Sequence, residues 1–251
     1  MNPVLDEILQ SGFVKTAQGE PTQLHSHVSA EEGKLLYEIV QEVKPTVSLE
    51  LGLAFGVSAL FICEALAACG ARRHIIIDPD QHDDRWKSVG LSNLKRAGYE
   101  HLVEFHNLSS HLVLPQLEAS GAKIDFAFVD GMHTFDHVLL DFFYIDRMLR
   151  VGGVVAFDDA SFPSIRKVCR FVVINRSYSV FRALRPEIRR TPSLKGNAVR
   201  YLARKSEMVR RLLSPEFFDP DFDLGLVVNS RCIAFKKEAE DTRSWDFHKE
   251  F

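Results

Sequence analysis

The chain has 251 residues, 46% of them hydrophobic, and its 31 basic and 34 acidic side chains leave a net charge of −3. This length suffices for one sizeable core, and the near-neutral balance excludes a general attraction to nucleic acid or to an anionic membrane. Four cysteines are scattered without a CxxC pair, which predicts small core residues, no zinc site and a reducing compartment. Because the first residues contain no basic leader and no long apolar run, we expect a cytoplasmic protein without a membrane span.

The first predicted helix begins at Ser29, which forms a capping box with Glu32 three residues later. Leu36 and Ile39 lie on its inward face, and Pro45 ends it. We therefore expect residues 1–45 to form cap helices ahead of the core.

The stretch TVSLELGLAFGVSAL, residues 46–60, has the pattern of a buried strand, a turn and a helix. Gly52 and Gly56 permit a tight turn and a close approach to a ligand. The helix predicted from Ser58 to Ala68 directs its N–H groups and positive dipole end to the same crevice. In open α/β sheets this first turn binds nucleotides and nucleosides, although a plain tight turn is the alternative for the glycines alone.

The same rhythm of strand and helix continues along the chain. Strands are predicted at His74–Ile77, Leu102–Phe105, Lys123–Asp130, Val154–Phe157, Tyr178–Ala183 and Leu224–Lys236, and helices at Arg85–Ala97, Thr134–Arg150 and Phe162–Asn175. The pattern predicts an α/β fold with a doubly wound, Rossmann-like, mostly parallel seven-stranded sheet, helices on both faces and an antiparallel last strand. We expect one domain, with the core at 46–181, a basic insertion at 182–223 and a final strand and tail at 224–251.

Polar residues follow the predicted strands at their carboxyl ends. Asp78 ends the second strand, where a doubly wound nucleoside site binds ribose hydroxyls, and Ser109 follows the third, where it could border an adenine. Asp130 ends the fourth strand, and Asp158 and Asp159 follow the fifth.

The last three carboxylates are predicted to meet, because neighbouring strands lie about 4.8 Å apart. Three such groups repel one another unless a cation neutralises them, and hard oxygen ligands favour Mg²⁺. In the alternative reading, Asp158 and Asp159 cap the following helix and Asp130 contacts a cofactor.

Together these segments resemble the class I S-adenosylmethionine-dependent methyltransferases, in particular the catechol-type and the bacterial sugar or macrolide O-methyltransferases of the methyltransferase family 24-like group. The segments that carry the resemblance lie within residues 28–161 and read SAEEGKLLYEIV, SLELGLAFGVSAL, IIIDPD, DFAFVDGMHTFDHVLLDF and LRVGGVVAFDD. The resemblance implies that S-adenosylmethionine is bound by Glu50, Gly52, Gly56, Ser58, Asp78, Ser109 and Asp130. It further implies a divalent cation, such as Mg²⁺, on Asp130, Asp158 and Asp159.

His133 is the best-placed base for the reaction, in the same loop as Asp130. Methyl transfer needs an acceptor oxygen aligned with the sulfonium and deprotonated, so both residues are expected to be catalytic. Catechol-type enzymes have lysine at the position of His133 and an acidic residue at that of Met132, whereas sugar-type relatives often have histidine at the former. Leu108 also departs from the polar residue of many relatives, and a helix cap or surface residue is the alternative role for His133.

We therefore expect an S-adenosylmethionine-dependent, cation-assisted O-methyltransferase that acts on a hydroxyl group of a small molecule or a sugar. One alternative is a catalytically silent binding scaffold that uses its basic segment. The other is an NAD-dependent oxidoreductase, which is disfavoured because the loop GLAFG lacks the G-x-G-x-x-G fingerprint.

A basic segment runs from Arg182 to Arg211, with ten basic residues, two acidic residues and a local charge of +8. Its spaced apolar residues predict an amphipathic helix. Its positive field could steer an anionic acceptor, whereas nucleic acid is disfavoured because no aromatic-rich face is interleaved with the charges. The sequence leaves a homo-oligomer open.

Overall fold

The computed structural model describes residues 1–16, 19–71, 73–184, 199–201, 203, 205, 209, 212–227 and 229–251. The helices are α1 (Pro3–Ser11), α2 (Ala30–Val43), α3 (Val57–Cys69), α4 (Val89–Arg96), α5 (Ser110–Ala119), α6 (Phe135–Met148), α7 (Pro163–Asn175) and the short α8 (Pro215–Phe218). The strands are β1 (Phe13–Lys15), β2 (Pro21–Gln23), β3 (Val47–Leu51), β4 (Arg73–Ile77), β5 (Val103–His106), β6 (Ile124–Val129), β7 (Leu149–Phe157), β8 (Tyr178–Ala183) and β9 (Ile233–Lys237). No helix within these ranges is long and apolar enough to cross a membrane.

Seven of the described strands form the central sheet, in the order β5-β4-β3-β6-β7-β9-β8. Strands β5, β4, β3, β6 and β7 are parallel, whereas β9 runs antiparallel to both of its neighbours, β7 and β8. This arrangement confirms the predicted α/β class, with its mostly parallel sheet and its antiparallel last strand.

Helices cover both faces of the sheet, as predicted. Alternate residues of each strand point to opposite faces, so β3 directs Leu49 and Leu51 towards α5, α6 and α7. On the other face, α2, α3 and α4 form the second half of the core. Helix α3 packs against both α2 and α4 and is apolar on nearly all sides, as expected for a helix without a solvent-facing stripe.

Several predicted boundaries need correction. The helix predicted from Arg85 begins at Val89, because Lys87 and Ser88 have positive φ angles of 48° and 58° that interrupt a helix. Helix α6 ends at Met148, and Leu149 is already extended, so β7 begins five residues before its predicted start. The strand predicted at Leu224–Lys236 is confined to Ile233–Lys237, since turns occupy 221–225.

The prediction lacked helix α5, the hairpin of β1 and β2 and the short α8. Helix α5 contains Pro115, a residue that normally signals a helix end, and each strand of the hairpin is only three residues long. The prediction for the basic segment falls largely outside the described residues, which include only 182–184, 199–201, 203, 205 and 209 of it.

A buried ion pair fastens the chain segment before β9 to helix α7. Arg170 donates from Nη1 to Asp221 Oδ1 over 2.7 Å, and the two side chains are only 1% and 3% exposed. Arg166 of the same helix donates to the other oxygen of Asp221. Within the described chain, Nε and Nη2 of Arg170 have no hydrogen-bond partner, so its charge depends on this one carboxylate.

We expect the Asp221→Ala variant to lower the free energy of unfolding by about 3–5 kcal/mol, because it leaves a buried guanidinium without its counter-charge. Asp223→Ala is the matched control, since Asp223 is 44% exposed and lies 3.5 Å from Arg200, and it should cost less than about 1 kcal/mol. Urea denaturation of both variants measures the difference. Equal losses would show that the buried pair contributes no more than the exposed one.

Candidate functional site

A cavity of about 600 Å³ opens where the parallel strands of the sheet end. It is bordered by the residues that follow β3, β4, β5, β6 and β7, in agreement with the rule that ligands of open α/β sheets bind at the carboxyl ends of the strands. Of the sequence-predicted site residues, those that line it are Gly52, Asp78, Ser109, Asp130, His133, Asp158 and Asp159.

The carboxylate of Asp78 organises the floor of this cavity. Its Oδ2 accepts hydrogen bonds from the backbone N–H groups of Leu53 and Ala54, at 2.8 and 3.1 Å, and its Oδ1 accepts one from the N–H of Asp80 at 2.9 Å. The acid that ends β4 therefore holds the glycine loop that follows β3. Asp78 lines the cavity, although it is 5% exposed.

Gly52 is the residue at which this loop requires glycine. Its φ is +86°, and a Cβ atom there would lie 2.2 Å from the carbonyl oxygen of Asp130. A side chain would thus force apart the loops that follow β3 and β6.

Glu50, Ser58 and Gly56 lie behind the loop and do not line the cavity. Glu50 is completely buried, and its Oε1 accepts a hydrogen bond from the Ser58 hydroxyl at 2.5 Å. Its Oε2 lies 2.8 Å from Nε2 of His74, whose Nδ1 is 2.9 Å from the Ser48 hydroxyl. Gly56 begins α3 at a φ of +78° and contacts Gly90. These residues support the loop from within the core.

At one end of the cavity, the loops after β6 and β7 bring together acids and a histidine. His133 Nε2 lies 3.5 Å from Asp130 Oδ1 and 3.5 Å from Asp159 Oδ2. One ligand atom each of Asp130, His133 and Asp158 lies within 4.8 Å of the other two. The structure therefore adds His133 to the predicted acidic cluster, at a distance at which it could itself be a ligand.

The electrostatics of this end of the cavity favour the binding of a positive charge. Burial raises the pKa of Asp130 well above its ordinary value, and the nearby Asp158 adds to the shift. Burial and Asp158 also raise the pKa of Asp159, against the opposing effect of His133 and Arg231. Among described residues, Oδ1 of Asp158 and Nε2 of His133 are buried without a hydrogen-bond partner. Carboxylates and an imidazole with unpaired atoms suit a divalent cation.

Glu32 is a further acid, buried next to Asp158 and not part of the cavity lining, and the capping box did not predict its place. Ser29 Oγ accepts from the N–H of Glu32 at 3.2 Å, so the cap is formed. The carboxyl group of Glu32, however, is buried, and neither of its oxygens has a hydrogen-bond partner within the described residues. Burial, followed by the proximity of Asp158, raises its pKa to about 9. A sequence signal existed, because Glu32 shares the inward face of α2 with Leu36.

The pKa of Glu32 predicts a pH-dependent stability. Between pH 5 and 9 the folded protein holds a proton that the unfolded chain releases, so the free energy of unfolding falls as the pH rises. We expect the Glu32→Gln variant to remove up to about 1.4 kcal/mol per pH unit of this slope. Urea denaturation in the presence of EDTA at pH 5 to 8 measures the pH dependence of the free energy of unfolding. The control is Glu31→Gln, because Glu31 is the exposed neighbour of Glu32. A slope unchanged in Glu32→Gln would contradict the assignment.

Other cavity residues were absent from the sequence analysis. Near the acids this is Arg231, beside which His27 also lines the cavity, and at the opposite end they are His111, His137 and Asp141. The pKa of His27 is lowered by burial and by Arg231, which favours its neutral form. Asp141 had a sequence signal, since it lies beside Val138 and Phe142 on the inward face of α6. The signal for Arg231 was absent, because it follows a turn without a motif.

Comparison with known proteins supports the fold. Residues 49–160 match a family described as a methyltransferase domain. The flavonoid 3',5'-methyltransferase of Vitis vinifera is 29% identical over 140 residues, 53% of this chain and 55% of that protein. The caffeoyl-CoA O-methyltransferase of Stellaria longipes is 31% identical over 133 residues, 51% of each protein. The chain thus spans about half the length of these curated relatives.

Solved structures share the same architecture. The O-methyltransferase TomG from Streptomyces achromogenes, involved in tomaymycin synthesis and determined in complex with SAM, is 25% identical, with a TM-score of 0.57 over 72% of this chain and 82% of that chain. The O-methyltransferase from Bacillus cereus, in complex with SAH, is 23% identical, with a TM-score of 0.58 over 74% of this chain and 85% of that chain. Taken together with the family match, they show that residues 49–160 are similar to methyltransferase domains and that the chain has the fold of these solved O-methyltransferases.

Proposed function

We propose that the protein is an S-adenosylmethionine-dependent O-methyltransferase that methylates a hydroxyl group of a small molecule or a sugar with the help of a divalent cation. The proposal rests on one observation: the same cavity is lined by the glycine loop, which Asp78 holds by hydrogen bonds, and by the cluster of Asp130, His133 and Asp158. A silent scaffold would not need that cluster. An oxidoreductase would need a dinucleotide fingerprint that the loop lacks.

The cofactor would lie along the carboxyl ends of the strands. Gly52 lets its methionine part approach the backbone closely, and Asp78 is the acid next to its ribose hydroxyls. Glu50 would orient the loop through Ser58 and His74, and add negative potential for the ammonium group. Ser109, which precedes α5, would border the adenine.

Asp130 and Asp158 would hold the cation, with Asp159 as the third ligand. A bound divalent cation lowers the pKa of an acceptor hydroxyl and orients it for attack on the methyl carbon. The unpaired buried oxygen of Asp158 and the raised pKa of Asp130 support this assignment.

His133 would accept the proton of the acceptor. Its Nε2 is buried, has no hydrogen-bond partner in the described part of the chain and lies 3.5 Å from Asp159. A carboxylate at that distance stabilises the imidazolium that forms on proton transfer. The remaining part of catalysis is positioning, since the acceptor oxygen must line up with the methyl carbon and the sulfur.

The acceptor would carry an anionic group. Arg231 lines the cavity near the acids, and the net charge of the segment between Arg182 and Arg211 is +8. Guanidinium groups bind carboxylates and phosphates through paired hydrogen bonds. The relatives named for caffeoyl-CoA and for a flavonoid suggest a phenolic hydroxyl group as the first acceptor to test.

We expect the protein to bind S-adenosylhomocysteine in isothermal titration calorimetry, and Asp78→Asn to weaken binding at least about tenfold, or about 1.4 kcal/mol. An amide at this position would turn N–H donors towards the N–H groups of Leu53 and Ala54, and so release the loop. Asp84→Asn, at an exposed position of the loop that follows β4, should bind S-adenosylhomocysteine like the parent. No binding by the parent would contradict the proposed function.

We expect the parent to bind Mn²⁺ in the presence of S-adenosylhomocysteine, as counted by the loss of the free-ion signal in electron paramagnetic resonance, and Asp158→Ala to lose this binding. His133→Gln should keep the ion but lose turnover of a catechol acceptor, because it removes the base. Asp136→Asn, whose side chain is 83% exposed, is the control for both measurements.

Two results would change the assignments. A His133→Gln variant that no longer binds Mn²⁺ would make His133 a ligand instead of the base. Full turnover by Asp158→Ala in excess EDTA would refute the cation mechanism.

A further inference from the structure

The cavity has a second polar end, away from the acids that follow β6 and β7. It is formed by the first turns of α5 and α6, which pack against each other. Its polar members are Ser109, Ser110, His111, His137 and Asp141. None of them belongs to the cluster of Asp130, His133 and Asp158.

Asp141 is the unusual member of this end. It is 3% exposed and lies on the inward face of α6, yet it borders the cavity. Its Oδ1 is buried and has no hydrogen-bond partner among the residues that the structure describes. A buried acceptor without a partner costs about 1–3 kcal/mol, so its presence in a cavity wall indicates that a ligand supplies the donor.

The neighbouring side chains define what kind of donor fits. Burial raises the pKa of Asp141 to about 6, against the opposing effects of a hydrogen bond with the Ser110 side chain and of the nearby His137 and His111, so Oδ1 is the oxygen left for a ligand. At neutral pH the group is therefore mostly a carboxylate, which only accepts hydrogen bonds. The ligand should present an N–H or O–H group here, next to serine hydroxyl groups that can donate or accept.

The position along the sheet identifies that group, if the proposed function holds. The strand order runs from β7 and β6, with the acids of the methyl-transfer end, through β3 and β4, with Gly52 and Asp78, to β5. A cofactor whose methyl group lies at the acids and whose ribose lies at Asp78 must extend its purine towards β5 and the start of α5. In the loop after β5, Ser109 lines the cavity, whereas Asn107 does not line it and Leu108 has no polar side chain, so a carboxylate acceptor at this end has to come from another element.

We propose that Asp141 accepts a hydrogen bond from the exocyclic amino group of the adenine and thereby makes the site specific for a 6-amino purine. The hydroxyl group of Ser109 would then donate to a ring nitrogen, while the Ser110 side chain bonds to Asp141. The carboxylate has no donor of its own, so it disfavours a 6-oxo purine, whose oxygen would approach it without a hydrogen bond.

The experiment compares S-adenosylhomocysteine with S-inosylhomocysteine, which has a 6-oxo group in place of the amino group and therefore also a hydrogen on N1. Isothermal titration calorimetry at pH 7.5 measures both affinities, without any acceptor or turnover. We expect the parent to bind the adenosyl compound at least about tenfold more tightly. The Asp141→Asn variant should lose most of this preference, because its amide can donate to the 6-oxo group.

Asp141→Ala and Asp136→Asn complete the series. Asp141→Ala should lower the affinity for the adenosyl compound and leave the affinity for the inosyl compound nearly unchanged. Asp136→Asn, at an exposed position of the same helix, should have the affinities of the parent. Thermal melting of each variant verifies that it is folded.

The possible results distinguish an error in the role of Asp141 from an error in the proposed function. Equal affinity of the parent for both compounds, or parent-like preference in Asp141→Asn, would overturn the role of Asp141 and leave the proposed function standing. A parent that binds neither compound would overturn the proposed function and this role with it.

Discussion

The site depends first on the hydrogen bonds by which the carboxylate of Asp78 holds the loop that follows β3. Asp78 ends β4, accepts the N–H groups of Leu53 and Ala54, and so fixes the backbone that follows β3. Two neighbouring parallel strands bring these groups together, since β3 pairs with β4 from Val47 and Arg73 to Leu51 and Ile77. Charged acceptors bind backbone donors more strongly than neutral ones do. The loop is therefore already in place before a ligand arrives, and its ordering does not have to be compensated by binding energy.

The same strand geometry creates an electrostatic problem at the other end. Asp130 and Asp158 end the paired strands β6 and β7, and Glu32 approaches Asp158 from α2. Burial and the neighbouring acids raise the pKa values of Glu32 and Asp130. Such a concentration of negative charge destabilises the fold, and under the proposed function a bound cation would offset that cost.

The fold was predictable because its signals are local. Buried strands, glycine turns and helix caps lie within a few residues of one another, and the strand-end positions of Asp78, Asp130, Asp158 and Asp159 followed from them. The sequence could not show that Glu50 and Ser58 face each other behind the loop, because that depends on how α3 packs on the sheet. The sequence analysis also missed that Glu32 and Asp141 are buried acids beside other polar groups. Each stood out as an acid in an apolar helical stripe, but its surroundings come from segments distant along the chain.

The position of β9 has a consequence for how the protein is made. This strand lies between β7 and β8, although it is synthesised about fifty residues after β8 has left the ribosome. Until then the nascent chain exposes two unpaired strand edges, one on β7 and one on β8, and open edges invite pairing with other chains. The intervening stretch carries the strongest positive charge in the protein. Like charges on two copies of this stretch repel each other, which disfavours association while the edges are open.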